Sequence, residues 1–111
     1  MEGRNVVHTD LSADTVYAIL KPRRRRLVLS YFMETSAETA TTTELAEWIA
    51  DHERTPDPGV PEPSLRTIAV TLTHTHFPVL DENGIIDFSF ANDRVEYHSS
   101  PDLEAHLELH C

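Results

Sequence analysis

Cysteine is nearly missing from this chain. One stands at the last position, Cys111, so no internal disulfide can staple the fold. No run approaches the roughly 20 consecutive apolar residues needed to cross a bilayer, and Met1 to Asp10 lacks the basic start and apolar stretch of a secretory signal. Together these absences point to a cytoplasmic protein without membrane contact. A glycine-rich phosphate loop and a nucleophile elbow are missing too, so the chain reads as a non-enzyme with no cofactor. Basic residues are scarce: nine oppose nineteen acidic ones, a formal net charge of −10, and five of the nine fall between Lys21 and Arg26. The remaining surface is strongly negative, as in proteins that stay soluble in concentrated salt. Phosphate contacts supply much of a DNA binder's affinity, so this acidity weighs against DNA as a partner without excluding it.

What is present fits one small domain. The 111 residues, 40% of them apolar, can build one packed core and leave no room for a second. Leu11 to Leu20 reads as a short helix capped by Ser12, with Leu11 and Val16 as a hydrophobic staple and Val16, Ile19 and Leu20 as its apolar edge. Pro22 suits the first turn of a second helix, where Leu27, Val28, Tyr31 and Phe32 recur at helical spacing. Arg23 to Arg26 open it. Cations there oppose the macrodipole, so something negative is expected nearby, either a carboxylate of the domain or a phosphate. After a polar loop, Glu34 to Ala40, the capping-box pattern Thr41-Thr42-Thr43-Glu44 predicts a third helix to about His52. Arg54 to Pro63 holds four prolines and a glycine and reads as a stiff loop.

Ser64 can cap a fourth helix, with Leu65, Ile68, Leu72, His76 and Val79 on one face. Pro78 should kink or restart it near Phe77, and Asn83-Gly84 should end it. Ile86, Phe88 and Phe90 then alternate with polar residues, as do Val95 and Tyr97 beyond an Asn92-Asp93 turn. Pairing Ala91 with Arg94 sets Phe90 against Val95 and Phe88 against Tyr97, so all the apolar groups share one face. Pro101 opens a last helix with Leu103, Leu107 and Leu109 as its apolar residues. Three helices followed by a two-stranded hairpin is the order of a winged helix. The expected fold class is mainly α with a β-hairpin wing, a winged helix-turn-helix over residues 11–100. A flexible segment, 1–10, precedes it, and a C-terminal helix, 101–111, follows as a possible dimerisation element.

The run His76-Phe77-Pro78-Val79-Leu80-Asp81-Glu82-Asn83-Gly84-Ile85-Ile86 resembles the end of the recognition helix in arsenic-repressor-like winged helices. There a His-Leu-x-x-Leu-x-x-x-Gly run and two hydrophobic residues lead into the wing. Together with Arg23 to Leu29 and Glu44 to Ala50, it makes the chain similar to a group of small, acidic haloarchaeal winged helix-turn-helix proteins. The resemblance implies a transcriptional regulator in a salt-adapted cytoplasm and carries over no ligand site. The loop Arg54 to Pro63 and Pro78 within the recognition helix depart from the pattern.

Two uses of such a fold are open. In the first, a homodimer binds double-stranded DNA. Arg66, Thr67, Thr71 and His74 on the fourth helix are types able to contact base edges or phosphates, with Thr43, Arg23, Arg24 and the wing-tip Arg94 as further contacts. The plainer account of the arginine run is pairing with the chain's own carboxylates, and of Arg94 a solvated turn residue. In the second use, a protein-interaction module without DNA affinity buries Val70 and Phe77, on the same helix face, and Leu103 and Leu107 against a partner. His106 and His110 are four apart beside Cys111, but a structural zinc site wants four ligands, so no metal is assigned. His76, on the apolar face, reads as a core histidine with its hydrogen bond satisfied.

Overall fold

Hydroxyl caps set most helix starts in this chain. In the computed structural model, which describes residues 12–61 and 64–110, the Ser12 side chain accepts from the Thr15 N–H at 3.1 Å and opens α1 (Ala13–Leu20). Pro22 stands at the cap position of α2 (Arg23–Thr35), which ends on left-handed Ser36. Thr41 and Glu44 form a reciprocal capping box, at 3.0 and 2.9 Å, that starts α3 (Thr42–Glu53). Ser64 caps α4 (Leu65–Thr71) through the Thr67 N–H. Helices α5 (Phe77–Glu82) and α6 (Pro101–His110) follow. The segment 1–10, Leu11 of the expected staple, Pro63, the Leu109 and His110 side chains and Cys111 lie outside the described residues.

The polar loop expected after α2 contains a strand, β1 (Thr39–Ala40). Two residues are too few to show alternation, so no sequence pattern marks it. It pairs antiparallel with β3 (Arg94–Tyr97), which pairs with β2 (Ile86–Ser89), giving a three-stranded sheet in the order β1-β3-β2. The hairpin register differs from the expected one: Phe88 faces Val95 and Ile86 faces Tyr97. This slip of two residues keeps every side chain on its own face, so Ile86 and Val95 are still buried. Phe90, however, leaves the ladder. It enters a turn, Phe90 to Asp93, in which Asp93 adopts φ 49°, a left-handed conformation that Asp tolerates better than most residues.

Apolar residues from α1 (Val16, Ile19), α2 (Val28, Leu29, Phe32), α3 (Leu45, Ile49), α4 and the segment after it (Ile68, Leu72) and the sheet (Ile86, Val95) make one buried cluster. Helix α6 packs against α1 and α2 and closes that cluster. Leu103 and Leu107 are buried beside Leu29 and Met33, and the Tyr97 hydroxyl donates to Glu104. The expected partner contact at Leu103 and Leu107 is thereby corrected: their own chain already covers them. The fold is mainly helical with a small antiparallel sheet, and none of the described helices is long and apolar enough to cross a membrane.

Candidate nucleic-acid interface

The four arginines of α2 are engaged by the chain itself. Arg26 donates to the Leu20 and Lys21 carbonyls at 2.7 and 2.8 Å, and Arg25 to the Ala18 carbonyl at 3.3 Å. These carbonyls belong to the C-terminal end of α1, where a helix supplies no N–H donors for its last carbonyls. Arg23 donates to the His52 carbonyl at 3.2 Å, and Arg24 grips Glu53 through two bonds of 2.8 and 2.9 Å, both at the end of α3. The negative partners anticipated for the run are therefore two helix C-termini, which favour cations, and one carboxylate. The Arg24 hydrogen bonds hold the Glu53 carboxyl below its ordinary value, against a smaller opposing effect of burial.

Arg25 has a second task. Its Nε donates to Nδ1 of His76 at 3.1 Å. His76 is 7% exposed; burial first, then the charges of Arg25 and Arg24, lower its pKa and keep it neutral and accepting. It is the satisfied core histidine expected.

His76 also ends a π-helical turn, Leu72–His76, joining α4 to α5, in which the Phe77 N–H reaches back to the Leu72 carbonyl. Such a turn absorbs one extra residue and re-phases the helix beyond it. On an uninterrupted α-helix Phe77 stands nine positions after Ile68, roughly 180° around the axis at about 100° per residue. With one residue taken up by the wide turn, the angle falls to roughly 80°. Phe77 and Leu80 therefore face the core, both at 0% exposure, and Phe77 packs on Phe88 with ring centroids 4.8 Å apart. The expected partner contact at Phe77 is corrected accordingly. Pro78 gives the reason: it has no N–H to donate, and its ring collides with the carbonyl four residues back in a regular helix. The expected break near Phe77 takes the form of this turn.

Across α4 and the π turn much of the anticipated face survives. Arg66, Thr67 and His74 are exposed and Val70 is half exposed. Thr71 is half-buried, its hydroxyl donating to the Thr67 carbonyl at 2.9 Å. From Pro63 to Leu80 the chain contains neither Asp nor Glu.

Arg94, also exposed, opens β3 opposite Ser89. Its neighbour Asp93 accepts the Thr42 N–H at 3.0 Å, clamping the hairpin turn onto the start of α3 and placing Arg94 and Thr43 in one neighbourhood. That helix start already holds two carboxylates, Asp93 and Glu44, which complement its dipole and leave Thr43 exposed among negative groups. Arg23 and Arg24 sit at the other end of α3, roughly 15 Å away at about 1.5 Å per residue. The sequence-derived DNA contacts thus fall into three places rather than one strip.

The sequence reading missed the clamp, whose only signal was an Asp in a turn position that tolerates positive φ. It also missed a surface trio, Asp87, Glu96 and His98, whose ligand atoms lie within 4.8 Å of one another and which could hold a divalent ion. Asp87 and Glu96 are cross-strand partners, and His98 pairs with Asp87 at 2.9 Å. On α3 a cleft of about 570 Å³ lies beside Tyr31, Trp48 and Leu65, rimmed by Glu44, Glu47 and Asp51; its charge is wrong for phosphate.

Residues 17–96 match the model of a family described as a domain of unknown function, DUF7344. The match spans most of the chain, and the chain belongs to that family. No curated protein and no solved structure matches it.

Proposed function

We propose that this member of the DUF7344 family is a winged helix-turn-helix regulator that binds double-stranded DNA as a homodimer, with α4 and the π turn as its reading helix and the β2–β3 hairpin as its wing. The order helix, strand, helix, helix, hairpin supports the fold assignment. One observation carries the function: in a chain with nineteen acidic residues, the exposed face Arg66, Thr67, Val70 and His74 lies in a stretch without a carboxylate. The hairpin packs on α5, which follows this element directly, through Phe88 against Phe77, and presents Arg94. Thr and His offer hydrogen bonds to base edges, and the two arginines serve phosphates or guanine. Arg23 and Arg24 have structural tasks in this reading.

The test is fluorescence anisotropy with a randomised duplex pool at several salt concentrations. Wild type should bind with an affinity that falls as salt rises, and Arg66→Ala and Arg94→Ala should each weaken it. Unchanged affinity in both variants would remove this binding mode.

A protein-interaction module is the second reading. Val70 is 50% exposed at the centre of the same face, which suits burial against another chain. Val70→Glu would then abolish self-association in light scattering; a monomer in wild type and variant alike speaks against it.

A further inference from the structure

We propose that Phe90, at the tip of the hairpin, is an apolar wedge that enters the minor groove of double-stranded DNA and unstacks a base step there. The inference rests on the DNA-binding reading above and adds what the wing does. Phe90 is 77% exposed, more than any other large apolar side chain among the described residues. Its ring is not loose. It lies against Phe88 at 5.9 Å, and Phe88 lies against the fully buried Phe77 at 4.8 Å, so three rings run from the core to the tip. The turn that carries it is held by the Asn92 N–H on Ser89 Oγ at 3.3 Å and by the Asp93 clamp on α3. A side chain braced in this way loses little conformational freedom on insertion.

The surroundings select the occupant. A protein interface of ordinary size buries about 800 Å² on each partner, and one ring on a turn, followed by Ala91, Asn92, the clamped Asp93 and Arg94, is too small a centre for that. It is the right size for one base step. Phenylalanine is among the side chains that wedge between steps and kink the duplex, and Arg94 stands four residues on to meet a backbone phosphate. Few free cations remain on this surface because the arginine run is engaged internally. An apolar contact, unlike counterion release, supplies affinity that salt does not weaken. The wedge should therefore favour the steps that unstack most easily, TA and CA/TG.

The experiment compares wild type, Phe90→Ala and Phe90→Trp on a duplex with a central TA step. Bending is read by energy transfer between end labels, affinity by anisotropy across a salt series, and folding by thermal unfolding. Phe90→Ala should bind about tenfold more weakly, lose the bend and keep the salt dependence of wild type, while Phe90→Trp keeps all three. If wild type binds and Phe90→Ala binds and bends equally well, the wedge is wrong and the DNA reading stands. If wild type binds no duplex, both fall. If Phe90→Ala lowers self-association in light scattering and leaves bending intact, Phe90 is a protein contact and the wedge is overturned.

Discussion

Arg23 to Arg26 and the exposed face of α4 both lie in stretches without carboxylates, yet the fold uses them in opposite ways. The first is dense in charge and turned to internal work, tying the ends of α1 and α3 and the π turn to α2. The second holds one cation among Thr, His and Val and faces solvent. Arg66 and Arg94 make no side-chain hydrogen bond or ion pair among the described residues. Consecutive residues on a helix radiate in different directions, so a run of four cations is poorly suited to one phosphate track. Here those directions coincide with two helix C-termini. The comparison teaches that charge density along a sequence does not locate positive surface; partners do.

The largest test of this contrast is Phe77→Ala. As a core residue packed on Phe88, Phe77 should contribute about 3–5 kcal/mol of stability, read from denaturant midpoints. A loss below about 0.5 kcal/mol, the range of surface substitutions, would return Phe77 to the outer face and undo the inward turn of α5. Next comes Arg24→Ala, which leaves Glu53 half-covered without its fork. Hydrogen bonds to charged groups contribute about 1.5–3 kcal/mol, and partial exposure, 25% and 17% for the two side chains, puts the expected loss near the lower end. The salt dependence of DNA affinity should not move. A variant that lost salt dependence and kept its stability would place Arg24 on the interface after all.

Capping and alternation carried most of the fold. Ser12, the Thr41–Glu44 box and Ser64 mark helix starts because their bonds are local, and the hairpin is visible because alternation fixes which face is buried. Three features were not legible, each for a physical reason. The π turn depends on how Pro78 is accommodated, and a kink or a restarted helix would also satisfy a missing N–H; the wide turn adopted brings Phe77 inward. The hairpin register is degenerate to a slip of two, since faces are preserved, and the register adopted goes with a non-local contact, Asp93 to Thr42, that alternation does not display. The partners of the arginines are carbonyls at helix ends, groups that every residue carries and no sequence pattern displays. The helix and hairpin that carry the candidate site were legible as elements, and which of its cations the fold engages internally was not.

His76 carries a gentler, pH-dependent share of the same internal network. Its Nδ1 accepts from Arg25, and protonation would remove that acceptor and set a cation beside a guanidinium. Burial, Arg25 and Arg24 lower its pKa in the fold, so the unfolded chain takes the proton first. The contribution is complete above the ordinary imidazole value of 6.5 and is lost as pH falls through the lower folded value. Glu53, also depressed, keeps its contribution above the ordinary carboxyl value of 4.5 and loses it only in more acid solution. Melting temperatures should therefore fall between about pH 7 and pH 5 in wild type and stay flatter in His76→Gln, which keeps an acceptor and cannot titrate there. Parallel curves for the two proteins would remove His76 from the network.

The smallest effect on stability belongs to the exposed arginines. Arg66→Ala and Arg94→Ala should each change unfolding free energy by no more than about 0.5 kcal/mol, since neither side chain has a partner to lose among the described residues. If each meets one phosphate, each should lower the slope of log affinity against log salt by about 0.9, and Arg23→Ala should leave that slope alone while loosening the His52 carbonyl at the end of α3. The two readouts thus exchange signs between the regions: stability without salt dependence at the arginine run, salt dependence without stability at α4 and the wing. A reversed pattern would mean that the dense run reaches phosphate through its remaining donors, and that the sparse face is ordinary solvated surface.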